Sequence, residues 1–291
     1  MALWAAAFPA ITVAVRHVDP FELAAVRFGL AATVMGAWLL WQRAWPRSTW
    51  DFARILLCGF LGIALYNVLL NTGQRTVPPG AASFLIATQP IFSAVWAHLL
   101  REQRIGLTGV IGSAVSLLGV AAIAVSQGSD LAPGAGAFLV LSAAFCSGTY
   151  FVLQRPLVIT YGAMTSAAWT IVVGALLLTP WLPAGLVRAA ESDEAILAIG
   201  FLGLGAGVLG YVCWTAALAD LGSARAANLL FLMAPVATLM SLPISGVPTL
   251  LTLGGGALTL AGVVIVHFAY RRSYRATTSR ATTRRSTPGP Q

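Results

Sequence analysis

Apolar stretches long enough to cross a lipid bilayer recur along the whole of this 291-residue chain, and its charged residues fall mostly between them. Crossing about 30 Å of hydrocarbon takes roughly 20 residues of helix. With 58% hydrophobic and only 9% charged residues, the chain cannot cover a soluble surface of its size. The solvent for most of it is lipid, and no soluble domain of any size fits between the stretches. The expected fold is an all-α membrane protein of ten transmembrane helices. They are placed near 1–16, 20–41, 53–74, 78–100, 105–125, 134–153, 163–182, 195–218, 224–244 and 249–270. Short loops rich in Pro, Gly and charge join them. The longest, Pro183–Glu194, carries Glu191, Asp193 and Glu194.

Charge placement orients these spans. All 17 basic residues are arginines. Without lysine the chain is neither a P-loop ATPase nor a Schiff-base retinal protein. With the N-terminus in the cytoplasm, thirteen arginines fall inside and only Arg16, Arg75 and Arg188 outside, with Arg27 left within the second span. The positive-inside rule then puts both termini in the cytoplasm and requires an even helix count. Trp38, Trp41, Trp45, Trp50 and Trp96 cluster near cytoplasmic ends and Trp181 near an outer one, as an interfacial belt. The net charge of +8 sits in short loops and a tail, so it points to no nucleic-acid partner. Residues 271–291 read as a disordered basic cytoplasmic tail, within reach of anionic lipid headgroups.

Several chemistries drop out. Cys58, Cys146 and Cys213 sit singly in apolar segments and read as small buried hydrophobes. His17, His98 and His267 are scattered, so neither metal nor cofactor is expected. The N-terminus enters an apolar stretch at once, without the positive n-region of a cleavable signal peptide.

The two halves resemble one another. Tyr66 is followed 24 residues later by Pro90, and Tyr211 is followed 24 residues later by Pro235. Beyond them, GSAVSLLGVAAIAV at 112–125 matches GGALTLAGVVIVHF at 255–268. One repeat therefore spans five helices, residues 1–127, and the second spans 128–270. Five is odd, so the second copy is inserted upside down. Inverted repeats with broken helices are a transporter architecture, with the site near the midplane between the halves.

Residues in both halves now carry a family resemblance. The first span has Trp4, Phe8 and Pro9, with Ala5 in place of a usual glycine; the second opens with Pro20 and Leu23 and reaches Arg27 and Phe28. Pro90, Glu102, Gly112, Leu118 and Gly119 follow in order. This pattern resembles the EamA-type ten-helix branch of the drug/metabolite transporter superfamily, closest to its YddG-like aromatic amino acid exporters. The second half departs from it. It has Ser245, Gly246 and Val247 where the first half has the acid Glu102, and Trp169 where the first has Arg27. The resemblance implies export of small metabolites such as amino acids from a bacterial inner membrane, by a monomer whose only partners are its small-molecule substrate and lipid.

Polar residues in lipid-spanning helices are costly unless they face protein or water, so polar stripes mark the cavity. Tyr66, Asn67, Asn71 and Gln74 lie on span three, Ser83 on span four, Ser147, Thr149 and Tyr150 on span six, Tyr211, Trp214 and Thr215 on span eight and Asn228 on span nine. Trp4 and Phe8 add aromatic surface. The expected substrate-binding set is Trp4, Phe8, Tyr66, Asn67, Asn71, Ser83, Tyr150, Tyr211, Trp214 and Asn228, with Pro90 and Pro235 as hinges or helix breaks. An aromatic cavity with neutral amides suits a zwitterion; the same groups could instead hold helices together. No carboxylate lies at mid-depth, which argues for uncoupled transport or exchange, and the lack of buried arginine pairs argues against sugar phosphates or nucleotide sugars. A multidrug or other metabolite carrier, a channel and an intramembrane enzyme are the competing readings. The enzyme is the weakest, since His98 and His267 lie near span ends and no G-x-S-x-G motif occurs.

Overall fold

A computed structural model describes residues 2–43, 45–99, 107–126, 134–213, 233–265 and 268, apart from the side chains of residues 90, 94, 97, 98, 120 and 124. Among the described residues every regular element is a helix. Five helices among the described residues are long and apolar enough to cross a membrane: α2 (Pro20–Gln42), α3 (Thr49–Gly73), α7 (Ala135–Tyr161), the stretch Ala163–Ala190, and α10 (Asp193–Cys213). Shorter apolar helices stand among them: α1 (Ala2–Ala14), α4 (Pro79–Ile86), α5 (Gln89–Leu99), α6 (Leu107–Ser126), α11 (Met233–Ser245) and α12 (Leu250–Ile265). Ala163–Ala190 divides into α8 (Ala163–Leu178), a 3₁₀ turn, and α9 (Leu182–Ala190). The described part of the chain is therefore all-helical, with several helices suited by length and composition to crossing a membrane.

Local chemistry sets the helix ends. Asp19 caps α2 in a capping box with Glu22, and Pro20 stands in the first turn, where a missing N–H is harmless. Ser48 caps α3 by accepting from the Asp51 amide at 3.1 Å, so α3 starts at Thr49 rather than at residue 53. Ser48→Ala should cost about 1 kcal/mol, read as a lowered melting midpoint in detergent. Gly162 separates α7 from α8 in one residue, at a φ of +80° that favours glycine.

Small residues let the helices touch backbone to backbone, as is usual in lipid. A Cβ on Gly59 of α3 would meet the Gly174 nitrogen of α8 at 2.9 Å, and a Cβ on Gly73 would meet the Gly136 oxygen of α7 at 2.8 Å. Helices α6 and α12 cross antiparallel in the same manner. There Ser116 Oγ donates to the Thr259 carbonyl at 3.1 Å and Thr259 Oγ1 to the Ser116 carbonyl at 3.5 Å, a reciprocal pair 143 residues apart. A Cβ on Gly119 would strike Gly255 and Thr259, and one on Gly262 would strike Gly112 and Ser116.

Ion pairs tie helix ends from distant parts of the chain. Glu22 meets Arg188 at 3.3 Å, Asp19 meets Arg75 at 3.1 Å and Glu194 meets His17 at 3.3 Å. At the opposite ends of α2 and α7, the Tyr161 hydroxyl donates to Asp51 at 2.8 Å and accepts from the Arg47 amide at 2.6 Å. Trp41, Trp45 and Trp50 are exposed there, as an interfacial belt requires.

Four expectations change. The span at 78–100 is two helices, broken at Ala87–Thr88. The break precedes Pro90 because a proline ring disfavours helical geometry in the residue before it and obstructs the carbonyl four back; Pro90 itself lies in the first turn of α5. The span ending at 153 runs on to Tyr161 through Pro156. The expected loop Pro183–Glu194 is mostly the amphipathic helix α9, with Pro183 in its first turn. Cys213 is exposed, unlike Cys58 and Cys146. The spans expected at 195–218 and 224–244 run into residues 214–232, outside the described residues.

Candidate functional site

Two long helices change their winding part-way. The segment Phe60–Leu65 of α3 and the segment Phe201–Leu209 of α10 are π-helical. A π turn shifts hydrogen bonds to i→i+5 and frees carbonyls for other donors; such turns concentrate at functional sites. Both segments find those donors in side chains. Asn67 Nδ2 donates to the Ile63 carbonyl at 2.7 Å, and Trp4 Nε1 donates to the Ala206 carbonyl at 3.0 Å.

Each π segment is followed within two residues by a tyrosine, Tyr66 on α3 and Tyr211 on α10. The two tyrosines are within electrostatic range of each other and of Arg27 from α2. Tyr150 of α7 is also near Tyr211, with its hydroxyl beside Thr170 and Gln154. Tyr66 points its hydroxyl toward Gln89, the residue that begins α5 after the helix break. Trp4 closes the group, its ring edge-on to Tyr211 at 5.5 Å between centroids. Seven helices thus supply one cluster of aromatic rings, hydroxyls, amides and a single guanidinium.

Glycines make room for the rings. A Cβ on Gly62, inside the first π segment, would meet the Tyr150 ring at 2.6 Å; a Cβ on Gly210, just after the second, would meet Trp4 Nε1 at 2.6 Å.

The expected site residues divide on this geometry. Trp4, Tyr66, Tyr150 and Tyr211 come together. Asn67 serves the π segment beside them. Asn71 Nδ2 instead donates to the Pro20 carbonyl at 3.1 Å, linking α3 to the start of α2. Ser83 is buried, and its hydroxyl donates to the Gly80 carbonyl at 2.6 Å with the Ala234 carbonyl of α11 at 3.3 Å. Phe8 is buried in the main core cluster, and its carbonyl accepts from Gln74 Nε2 at 2.9 Å. Pro235 lies in α11, whose residues before Met233 are outside the described ones. Trp214 and Asn228 lie outside the described residues.

Sequence reasoning passes over Arg27 and Gln89. Among the described residues Arg27 is the one buried arginine, and a charge at depth is by default a functional signal. Gln89 sits directly before Pro90, where a broken helix exposes polar groups.

A groove of about 360 Å³ lies between α1, α10 and α11. Its walls are apolar apart from Glu194, and none of the tyrosines lines it.

The sequence profile of the EamA-like transporter family matches this chain twice, over residues 1–125 and again over 134–268. The chain belongs to that family. An uncharacterized transporter of Bacillus subtilis, YdfC, is 36% identical over 91% of this chain and 87% of its own length. A probable terminal-alkyne amino-acid exporter of Streptantibioticus cattleyicolor is 37% identical over 91% of this chain and 89% of its own. The uncharacterized inner membrane transporter YedA of Escherichia coli K12 is 24% identical over 84% of this chain and 80% of its own. A solved crystal structure, 19% identical, superposes with a TM-score of 0.59 over 93% of this chain and 96% of that one, which shows a shared fold. This EamA-like protein is thus a multi-pass transporter of the bacterial inner membrane, and its relatives are named as transporters rather than enzymes.

Proposed function

We propose that this EamA-like transporter exports small neutral or aromatic amino acids by alternating access of two inverted five-helix repeats, residues 1–127 and 128–270, around a cavity near the midplane. The observation that carries the reading is the meeting of Trp4, Tyr66, Tyr150 and Tyr211 beside two π segments. Rings supply apolar contact for a side chain, and hydroxyls and amides supply partners for a zwitterion.

Three further observations support the repeat. The family profile matches each half separately. The π segments occupy corresponding places before Tyr66 and Tyr211. The reciprocal Ser116–Thr259 bonds join residues that the two Gly-rich blocks align with one another, as a two-fold axis in the membrane plane requires. The halves would rock about the α6–α12 contact. Both termini and the tail 271–291 lie in the cytoplasm on this reading, and the working unit is a monomer. The named amino-acid exporter at 37% identity supports the cargo class.

Counterflow of radiolabelled Trp, Phe, Thr, Met and Glu into proteoliposomes tests the proposal, with and without a pH gradient. Saturable flux of the neutral and aromatic members, indifferent to the gradient, is the expected result. Flux of none of them by folded protein would overturn the cargo and leave the family assignment intact. Accumulation driven by a pH gradient alone would overturn uncoupled transport.

A further inference from the structure

Arg27 is the one buried cation of the tyrosine cluster. The residue is 6% exposed, and its Nε and Nη1 atoms are buried without a hydrogen-bond partner. It lies seven residues into α2, about 10 Å along the helix, beyond the reach of a side chain that could snorkel freely to the surface. The Phe28 ring lies 4.8 Å from the guanidinium carbon.

Four of the described carboxylates are engaged elsewhere. Asp19 holds Arg75 and Glu22 holds Arg188, while Asp51 accepts from Tyr161 and Glu194 from His17. Among the described residues no acid pairs with Arg27. A guanidinium held out of water with donors unmet is strongly unfavourable unless an anion joins it. Its planar fork matches a carboxylate.

We infer that Arg27 binds the carboxylate of the transported molecule, so that a carboxylic acid group is what the site requires of its cargo. This deepens the amino-acid reading above and rests on it. The neighbours complete the recognition. The hydroxyls of Tyr66 and Tyr211 lie within electrostatic range of the guanidinium, and Gln89 stands beside the Tyr66 hydroxyl; these groups can accept from an ammonium group. Trp4 and Tyr150 are left to pack a side chain. A single arginine suits one negative charge, which accommodates a zwitterion and leaves a phosphate monoester undercompensated.

The test compares L-phenylalanine and L-propargylglycine with L-phenylalaninamide and phenethylamine, as competitors of counterflow and as thermal stabilisers in detergent. Wild-type protein should prefer each acid over the amide and the amine by at least about tenfold. Arg27→Gln should abolish that preference, and Arg27→Lys should restore part of it. Equal handling of acid and amide by the wild type would overturn the inference while leaving amino-acid transport standing; that comparison holds even if neither variant folds. A folded Arg27→Gln protein that still prefers acids would overturn it too. Absence of any response to all four compounds would sink both this inference and the amino-acid reading.

Discussion

Gly262→Ala should destabilise the folded transporter by about 3 kcal/mol, the upper end of what overpacking usually costs. The added Cβ would run into the Ser116 amide and the Gly112 carbonyl, which are backbone of the facing helix and cannot swing aside. Helices α6 and α12 would have to separate, and the reciprocal Ser116–Thr259 hydrogen bonds would lengthen with them. Gly119→Ala should behave alike, since its Cβ would meet the Gly255 oxygen at 2.5 Å. Once the helices have parted for one methyl, the second finds room, so the double variant should lose clearly less than the sum of the singles. Gly254→Ala is the control. Nothing lies within 4 Å of its Cβ, and replacing a helical glycine should leave stability unchanged or raise it by up to about 1 kcal/mol. Thermal melts in detergent check all four variants. Equal midpoints for Gly262→Ala and Gly254→Ala would mean that the close crossing does not exist in the membrane.

The same glycines explain how much of the fold is legible in the sequence. The matching Gly-rich blocks of the sequence fall on the close crossing of α6 and α12, because such crossings leave a small-residue signature. Tyr66, Tyr211, Trp4 and Tyr150 are legible as candidates for a related reason: aromatic and polar side chains in apolar spans stand out, and these four come together in the fold. What escapes is anything decided by winding. A π segment has no residue code; FLGIAL and FLGLGAGVL could equally be α-helical, so nothing signals that Tyr66 and Tyr211 turn toward a common point. The amphipathic helix α9 reads as a loop because Pro183 and the acids after it resemble a turn, although a proline in a first turn starts a helix as readily as it ends one. Asn71 and Ser83 show that polarity alone has two readings. Their polarity marks them for the cavity, yet their hydrogen bonds run to backbone carbonyls, which is also how polar groups join helices in lipid.

Gly62→Ala should reduce transport by more than about tenfold, as misplacement of a positioning group by an ångström can, while costing less stability than Gly262→Ala. The distinction lies in what the new methyl meets. At Gly262 it meets backbone, whereas at Gly62 it meets the Tyr150 ring at 2.6 Å, a side chain that can be displaced. The displaced ring would carry its hydroxyl away from Thr170, Gln154 and the neighbourhood of Tyr211. Gly210→Ala applies the same test to the other π segment. Its Cβ would press on Trp4 Nε1 at 2.6 Å and break the 3.0 Å bond by which the indole satisfies the Ala206 carbonyl. If the two π segments exist to seat one aromatic ring each beside the cargo, both variants should fail in transport and remain folded, and Tyr150→Phe should reproduce part of the Gly62→Ala defect without a packing change. Counterflow beside melting midpoints decides it. Transport that declines only in proportion to lost stability would make the π segments packing features, and the tyrosine cluster would lose its claim to be the site.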